Sequence, residues 1–542
     1  MKARIAACPA CGGPVSFQVS TSLVTVCDFC HSVVARGDKK PEDCGKIADV
    51  VDLNSPLSVG MTGSVKGKAF HVTGRVQYKH PSGAMWNEWY LSFPGDRWGW
   101  LAEAQGKLYL MFEQRLKTSS ALAEFQTIQL GQTFEVREES LQVTEKAIAT
   151  VAAAEGEIPW AVRPGLPHAY VDLKSEKGYI GTLDFSDSQP KFFLGKSVTL
   201  ESLGMTPNSS WSFSKDISVQ ALQLQCPNCA GALQLFAPDQ TLRVACPNCH
   251  ALLDAQQGNL VYLETLADRD IKPILPLGSK GTLFGKQYTV VGFMQRYVMY
   301  EGRSYPWSEY LLYNPEVHFR WLVRTDDGHW SFVEQIDHPG NNLRGLTTYF
   351  EGQSFRLYEQ GEATVSYVVG EFPWQVRMGE RTLTRDYISP PYMLSLEQSI
   401  ADVSGDLPVG TGLEASDPPA SDRAAAINQE VNVSKGVYVT VDEIEQAFAL
   451  KNLRRPLGVG TIQPAPQMGF RFLYANVGFL IALVSIYALG KWLRSSKPPD
   501  GTLLMIAMVI VTIFPLLTLF YKFSFETQRW RNSDYSPYPQ SE

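Results

Sequence analysis

Residues 60–74 read GMTGSVKGKAFHVTG, and residues 278–292 read GSKGTLFGKQYTVVG. From Ala69 to Tyr78 the first stretch alternates, with Phe70, Val72, Val76 and Tyr78 on one side and His71, Thr73, Arg75 and Gln77 on the other. A period of two predicts a half-buried β-strand. Gly67-Lys68, just before it, predicts a hairpin turn. The second stretch repeats the first at an offset of 218, with Gly60, Gly63, Gly67-Lys68, Phe70, Val72 and Gly74 facing Gly278, Gly281, Gly285-Lys286, Tyr288, Val290 and Gly292. A match at fixed period marks an internal duplication.

The duplication extends in both directions. At offset 221, Trp86, Glu88 and Trp89 face Trp307, Glu309 and Tyr310, and Trp100-Leu101 faces Trp321-Leu322. Gly131-Gln132 and Phe134 are matched at the same offset to Gly352-Gln353 and Phe355. At offset 214, Gly156–Arg163 (GEIPWAVR) faces Gly370–Arg377 (GEFPWQVR). Short strands are expected near Trp89–Phe93, Trp98–Ala102 and Lys107–Phe112, and again near Tyr310–Tyr313, Arg320–Arg324 and Trp330–Glu334. Many short strands with turn signals between them predict a barrel or sandwich. The fold class is therefore mainly β, with one small β-barrel or sandwich over 50–205 and its copy over 270–400.

Each copy is preceded by paired cysteines. Cys8, Cys11, Cys27 and Cys30 form one set and Cys226, Cys229, Cys246 and Cys249 the other. Two Cys-x-x-Cys knuckles about fifteen residues apart match a four-thiolate zinc site, since each knuckle aims two sulfurs at one point. Zinc ribbons are expected over 1–45 and 220–260, each with one structural zinc ion. A redox dithiol and a c-type haem are the alternatives, the latter because His31 and His250 complete Cys-x-x-Cys-His strings. Haem attachment requires export, and the start MKARIAACPAC carries no signal peptide. Cys44 is left over as an ordinary free thiol.

The chain has 542 residues, 44 % hydrophobic and 19 % charged, with a net charge of −7. Residues 1–50 hold six Lys and Arg against five Asp and Glu, and residues 222–270 hold two against five. Nucleic-acid affinity rests on phosphate neutralisation, so this balance argues against nucleic acid as the ribbons' partner. Residues 401–434, rich in Gly, Pro, Ser and Asp, are expected to form a flexible linker. A short juxtamembrane helix and connection fill 435–470, opened by a Thr440/Glu443 capping box and ending near Arg455-Pro456. Phe472–Gly490 and Gly501–Tyr521 carry no charge and are long enough to cross a bilayer. A transmembrane helical hairpin is expected over 471–523, with a tail over 524–542. Lys451, Arg454, Arg455 and Arg471 before it, and Lys522, Arg529 and Arg531 after it, outnumber the three cations of its loop. The positive-inside rule then puts the N-terminal region and the tail in the cytoplasm. Zinc–thiolate chemistry suits that reducing compartment.

The glycine and aromatic motifs quoted above resemble those of a bacterial family catalogued as domain of unknown function 4178, over both β units. The cysteine leaders resemble those of its long, membrane-tethered members. The resemblance implies a place at the inner membrane, in an envelope or polyamine-linked system, and supplies no catalytic residues.

Trp86, Glu88, Glu157, Arg163, Trp307, Glu309, Glu371 and Arg377 recur in both copies. They read either as a binding face or, preferably, as packed tryptophans with Glu and Arg covering an edge. No P-loop, dinucleotide fingerprint, zinc-protease motif or nucleophile elbow is present. The expected function is a membrane-tethered cytosolic binding or assembly module, with protein partners at the membrane face and no enzymatic activity. An enzyme or a small-molecule, polyamine-like sensor using the acidic and aromatic face is the alternative, and a nucleic-acid-binding ribbon protein the weaker one.

Overall fold

A computed structural model describes residues 4–17, 23–35, 42–46, 50, 55–104, 106–114, 124–136, 138–160, 162, 165–186, 189–207, 222–237, 241–256, 259–266, 271–336, 345–400, 429–465, 470–493 and 501–538. The first unit supplies β1 (Lys68–Lys79), β2 (Met85–Phe93), β3 (Arg97–Ala104), β4 (Lys107–Gln114), β5 (Glu139–Ile158), β6 (Pro167–Ser175), β7 (Tyr179–Asp184) and β8 (Lys191–Val198). They close into an antiparallel barrel in the order β1-β2-β3-β4-β8-β7-β6-β5, with β5 returning to β1.

The second unit repeats this ring. Its strands are β9 (Lys286–Tyr300), β10 (Arg303–Asn314), β11 (His318–Thr325), β12 (Trp330–Gln335), β13 (Gln353–Phe372), β14 (Arg381–Ser389), β15 (Tyr392–Ser399) and β16 (Gln429–Val439). They pair in the order β9-β10-β11-β12-β16-β15-β14-β13 and close on β9. The architecture expected from the strand pattern is thus a barrel in both copies, and closure leaves neither ring with an unpaired edge.

Three features of the barrels and their connections differ from the sequence reading. First, the linker is shorter than 401–434, because β16 begins at Gln429 and is the eighth wall of the second barrel. Its Val431, Val433, Val437 and Val439 alternate, but they follow a long connection whose composition hides them. Residues 401–428 lie outside the described residues. Second, the strand at 68–79 does not keep one face. A bulge between Val72 and Gly74 changes the side on which its residues point. Phe70 and Val72 pack outside the barrel with Leu91 and Leu203, whereas Val76 and Tyr78 point into the lumen with Tyr90 and Trp100. Third, the hairpin geometry equates Val136 with Phe350 and Glu139 with Gln353, a constant offset of 214. The match of Gly131-Gln132 and Phe134 to Gly352-Gln353 and Phe355 is therefore corrected by seven residues.

The repeated glycines mark a close crossing. Gly74 pairs with Gly156, and Gly292 with Gly370. Gly156 and Gly370 have φ of 72° and 93°. A Cβ on Gly370 would lie 2.4 Å from the Val291 carbonyl oxygen. Gly370→Ala should destabilise the second barrel by about 2–4 kcal/mol, combining left-handed backbone strain with overpacking. Chemical unfolding of the purified chain checks this; an unchanged midpoint would count against the crossing.

The ribbons plug the barrels. Val24–Val26 pairs with the end of β5, and Arg243–Ala245 with the end of β13. Val24, Val26 and Val33 join the lumen cluster of Trp100, Met111 and Phe193 in the first barrel. Ala237, Ala245 and Leu252 do the same with Met294, Leu311 and Val368 in the second. The second ribbon extends to Thr265, five residues beyond its expected end. The two units meet where Glu145 and Lys146 of β5 pair with Glu430 and Gln429 of β16.

After β16, α1 (Val441–Ala447) carries the expected capping box on Thr440 and Glu443. It ends well before Arg455, since Ala449 and Asn452 take φ of 53° and 62°. Two helices follow, α2 (Phe470–Leu493) and α3 (Gly501–Arg529), both long and apolar enough to cross a membrane. Leucine, isoleucine and phenylalanine side chains point outward along both. The segment after the apolar run is not a free tail. The Arg529 side chain is buried, donating to the carbonyls of Gly460 and Thr461 and to Glu526. The Tyr358 hydroxyl of β13 donates to the Arg529 carbonyl, and Trp530 packs on Tyr358, Ile388 and Ile462. The end of α3 is thus bolted to the second barrel.

Candidate functional site

Each cysteine set converges. Within each set the four sulfurs lie within 4.8 Å of one another. Cys8 and Cys30 are 3.7 Å apart, Cys11 and Cys27 3.7 Å, Cys226 and Cys249 3.7 Å, and Cys229 and Cys246 4.0 Å. A tetrahedron with metal–sulfur bonds of about 2.3 Å has edges of about 3.8 Å, so both sets fit one metal ion each. A disulfide needs a separation of about 2 Å, which these sulfurs do not show. Four similar turns build the sets. The amide of Gly12 donates to the Cys8 carbonyl, and His31, Ala230 and His250 repeat this bond to Cys27, Cys226 and Cys246. These four residues have φ of 77°, 55°, 56° and 57°. Histidine is enriched in that left-handed region, which accounts for the Cys-x-x-Cys-His strings without haem. Ser32 lies 3.4 Å from the Cys30 sulfur, and its hydrogen bonding holds that thiol down to about 6. Cys44 falls in the strand Glu42–Lys46, its side chain outside the described residues.

The half of each lumen away from its ribbon is polar. In the first barrel, Glu88 accepts from the Tyr90 hydroxyl at 3.0 Å and from the Trp86 indole at 3.5 Å. Trp86, Tyr78, Tyr170 and His168 stand ring against ring. Tyr170 donates to Glu145, and Thr182 to Asp172 at 2.7 Å. In the second barrel, the Trp307 indole donates to Glu309 at 2.6 Å. The Arg296 guanidinium reaches Glu309 at 3.3 Å, Glu397 at 2.7 Å and the Thr382 hydroxyl.

A family model for a domain of unknown function, DUF4178, matches residues 58–200 and 276–404, half of the chain. The chain belongs to the DUF4178 family. No curated protein and no solved structure shows significant similarity to it. The second DUF4178 match stops short of β16, which the barrel needs for closure.

The barrel register also exposes pairs that the sequence reading missed. Asp172 and Asp386 occupy the same place opposite Glu145 and Glu359. Asp184 and Glu397 are equivalent at the next strand. An offset of 214 links Glu145 to Glu359 and Asp172 to Asp386, whereas strand register alone links Asp184 to Glu397. Of the eight recurrent residues, the seven that are described do not form one face. Trp86, Glu88, Trp307 and Glu309 are in the lumens. Glu371 joins ribbon to barrel, accepting from the amides of Phe236 and Ala237 and from the Thr241 hydroxyl. Glu157 sits at the corresponding seam, paired in register with Thr25. Arg377 is exposed, with its amide bonded to Glu380. Arg163 lies outside the described residues.

Burial pushes the Glu88 carboxyl up from 4.5 to about 8, against the hydrogen bond from Tyr90. A carboxyl raised in the folded state stabilises the fold fully below its unfolded value. It loses that contribution as pH rises towards the folded one. The DUF4178 chain should therefore melt earlier at about pH 8.5 than at about pH 6, and Glu88→Gln should flatten part of that slope. Thermal unfolding at the two pH values measures it; equal slopes in both proteins would refute the assignment.

Proposed function

We propose that the chain is a membrane-tethered, non-catalytic binding and assembly module with two structural zinc ions. The observation that carries this reading is the Arg529–Trp530 seam, which fixes the second apolar helix to the second barrel. Gly460 and Thr461, ahead of α2, meet Arg529 at the end of α3. Both flanks of the hairpin therefore lie beside the barrels, and the cation balance makes that side the cytoplasm of a bacterial inner membrane. The duplicated barrels present two related surfaces from one tether, which raises the effective concentration for a two-site protein partner. The four-cysteine geometry supports zinc as the ion that holds each ribbon.

Crosslinking in native membranes, followed by detergent purification, tests the reading. A discrete protein partner, lost when the barrels are deleted and the hairpin kept, is the expected result. Recovery of the chain alone would count against it. Arg529→Ala should separate barrel from helix, leaving the Gly460 and Thr461 carbonyls without their buried donor at a cost of about 2–3 kcal/mol. Faster proteolysis between 456 and 465 in vesicles reads this out.

A further inference from the structure

We infer that the lumen of the first barrel binds an organic cation carrying a primary ammonium or guanidinium head. The duplication provides the comparison. In the second barrel the indole–carboxylate pair Trp307–Glu309 holds a guanidinium supplied by the chain itself. Arg296 is buried between Glu309 and Glu397, its guanidinium carbon 5.7 Å from the Trp307 ring centre. The first barrel keeps the pair as Trp86–Glu88 and keeps an acid, Asp184, where the second has Glu397. Register places Tyr78 opposite Trp86, as Arg296 is opposite Trp307. The site that holds a cation in one copy thus has a tyrosine for it in the other.

What surrounds that position suits a small cation. Tyr78 stacks on Trp86 at 5.3 Å, His168 lies 4.6 Å from Tyr78, and Tyr170 meets Trp86 edge-on at 5.6 Å. Electron-rich ring faces beside carboxylates attract ammonium and guanidinium groups. Lys174 offsets charge at Glu145, Asp172 and Glu430. The charges acting on Glu88 are those of Asp184 and Asp172, both acidic. Burial keeps His80 and His168 towards their neutral forms. Glu145 and Asp184 keep 23 % and 21 % of their side-chain surface accessible to solvent. The inference rests on the barrels alone and is independent of the tether and the zinc.

Calorimetric titration of the full chain in detergent micelles tests it, with butylammonium, 1,4-diaminobutane and butylguanidinium as probes and butanol as the neutral control. Saturable binding of one cationic probe per chain, with none of butanol, is expected, and the tighter of the ammonium and guanidinium arms identifies the head group. In titrations at about pH 8.5, where the Glu88 carboxyl is ionised, Glu88→Gln, which keeps the shape, should weaken binding about thirtyfold. Tyr78→Arg, which supplies the internal guanidinium of the second copy, should abolish it. Melting curves establish that each variant is folded, and Glu88→Gln decides alone if Tyr78→Arg is not. No saturable binding with Kd below about 1 mM overturns the inference. Binding unchanged in Glu88→Gln, or equal binding of butanol, overturns it too.

Discussion

Protein purified without chelator is expected to carry two zinc ions per chain, and Cys226→Ser one. The sulfur separations of 3.7–4.0 Å match the edges of a zinc–thiolate tetrahedron. Around each site the packed cluster is small. The cluster that surrounds the first site is Cys8, Val15, Cys27 and Val34, so two of its four residues are ligands themselves. Structural zinc contributes about 10–16 kcal/mol of apparent binding energy in small modules, far more than a few valines supply. Loss of one ligand should therefore unfold its ribbon, and this is the largest effect expected of any single substitution here.

The consequence should reach beyond the ribbon. In Cys226→Ser, Arg243–Ala245 would leave the end of β13, and Glu371 would lose the amides of Phe236 and Ala237. A buried carboxylate stripped of its donors costs about 1–3 kcal/mol more. Elemental mass analysis counts the metal, and hydrogen exchange at Val244 and Glu371 reports the seam. A chain with folded ribbons and no bound metal would sink the zinc reading. Unchanged exchange at Glu371 in the variant would show that ribbon and barrel fold separately.

Much of the architecture was legible because it rests on local patterns. Cys-x-x-Cys spacing, period-two alternation and charge-free runs each report one element. The Thr440/Glu443 box marked the start of α1 for the same reason. What escaped was set by distant pairing. β16 closes a barrel whose preceding strand ended thirty residues earlier, and no local window shows that Val437 will pair with Tyr392. The bulge at Val72/Gly74 is one extra residue, yet it separates Phe70 from Tyr78 onto opposite sides of the wall. The same applies to function. Glu88 and Glu309 were found through their tryptophans, whereas Glu145, Asp172 and Asp184 became one group only when the ring closed. Arg296 drew no notice because its counterpart in the first copy is Tyr78.

Arg296→Met is expected to destabilise the second barrel by about 3–5 kcal/mol, the cost of stranding a buried charge. The Arg296 side chain is 7 % exposed and Glu309 11 %, so little water is available to replace the pair. Glu397 is 35 % exposed and should contribute less. Burial holds the Glu309 carboxyl above its usual range, and the Arg296 charge is what pulls it back. Without the guanidinium the carboxyl must rise further. A folded-state value above the unfolded one means that stability is retained at low pH and lost as pH rises through the folded value. The defect should therefore be smaller at about pH 5 than at about pH 8.5. Arg296→Met combined with Glu309→Gln should recover most of the loss, because the neutral amide still accepts from the Trp307 indole. Unfolding midpoints of the three variants at both pH values measure the coupling. A double variant no more stable than Arg296→Met at high pH would mean that Glu309 is not the charge Arg296 serves, and Glu397 would take its place. A flat pH response in Arg296→Met would remove the electrostatic account altogether, leaving packing against Trp307 as the reason an arginine occupies the lumen.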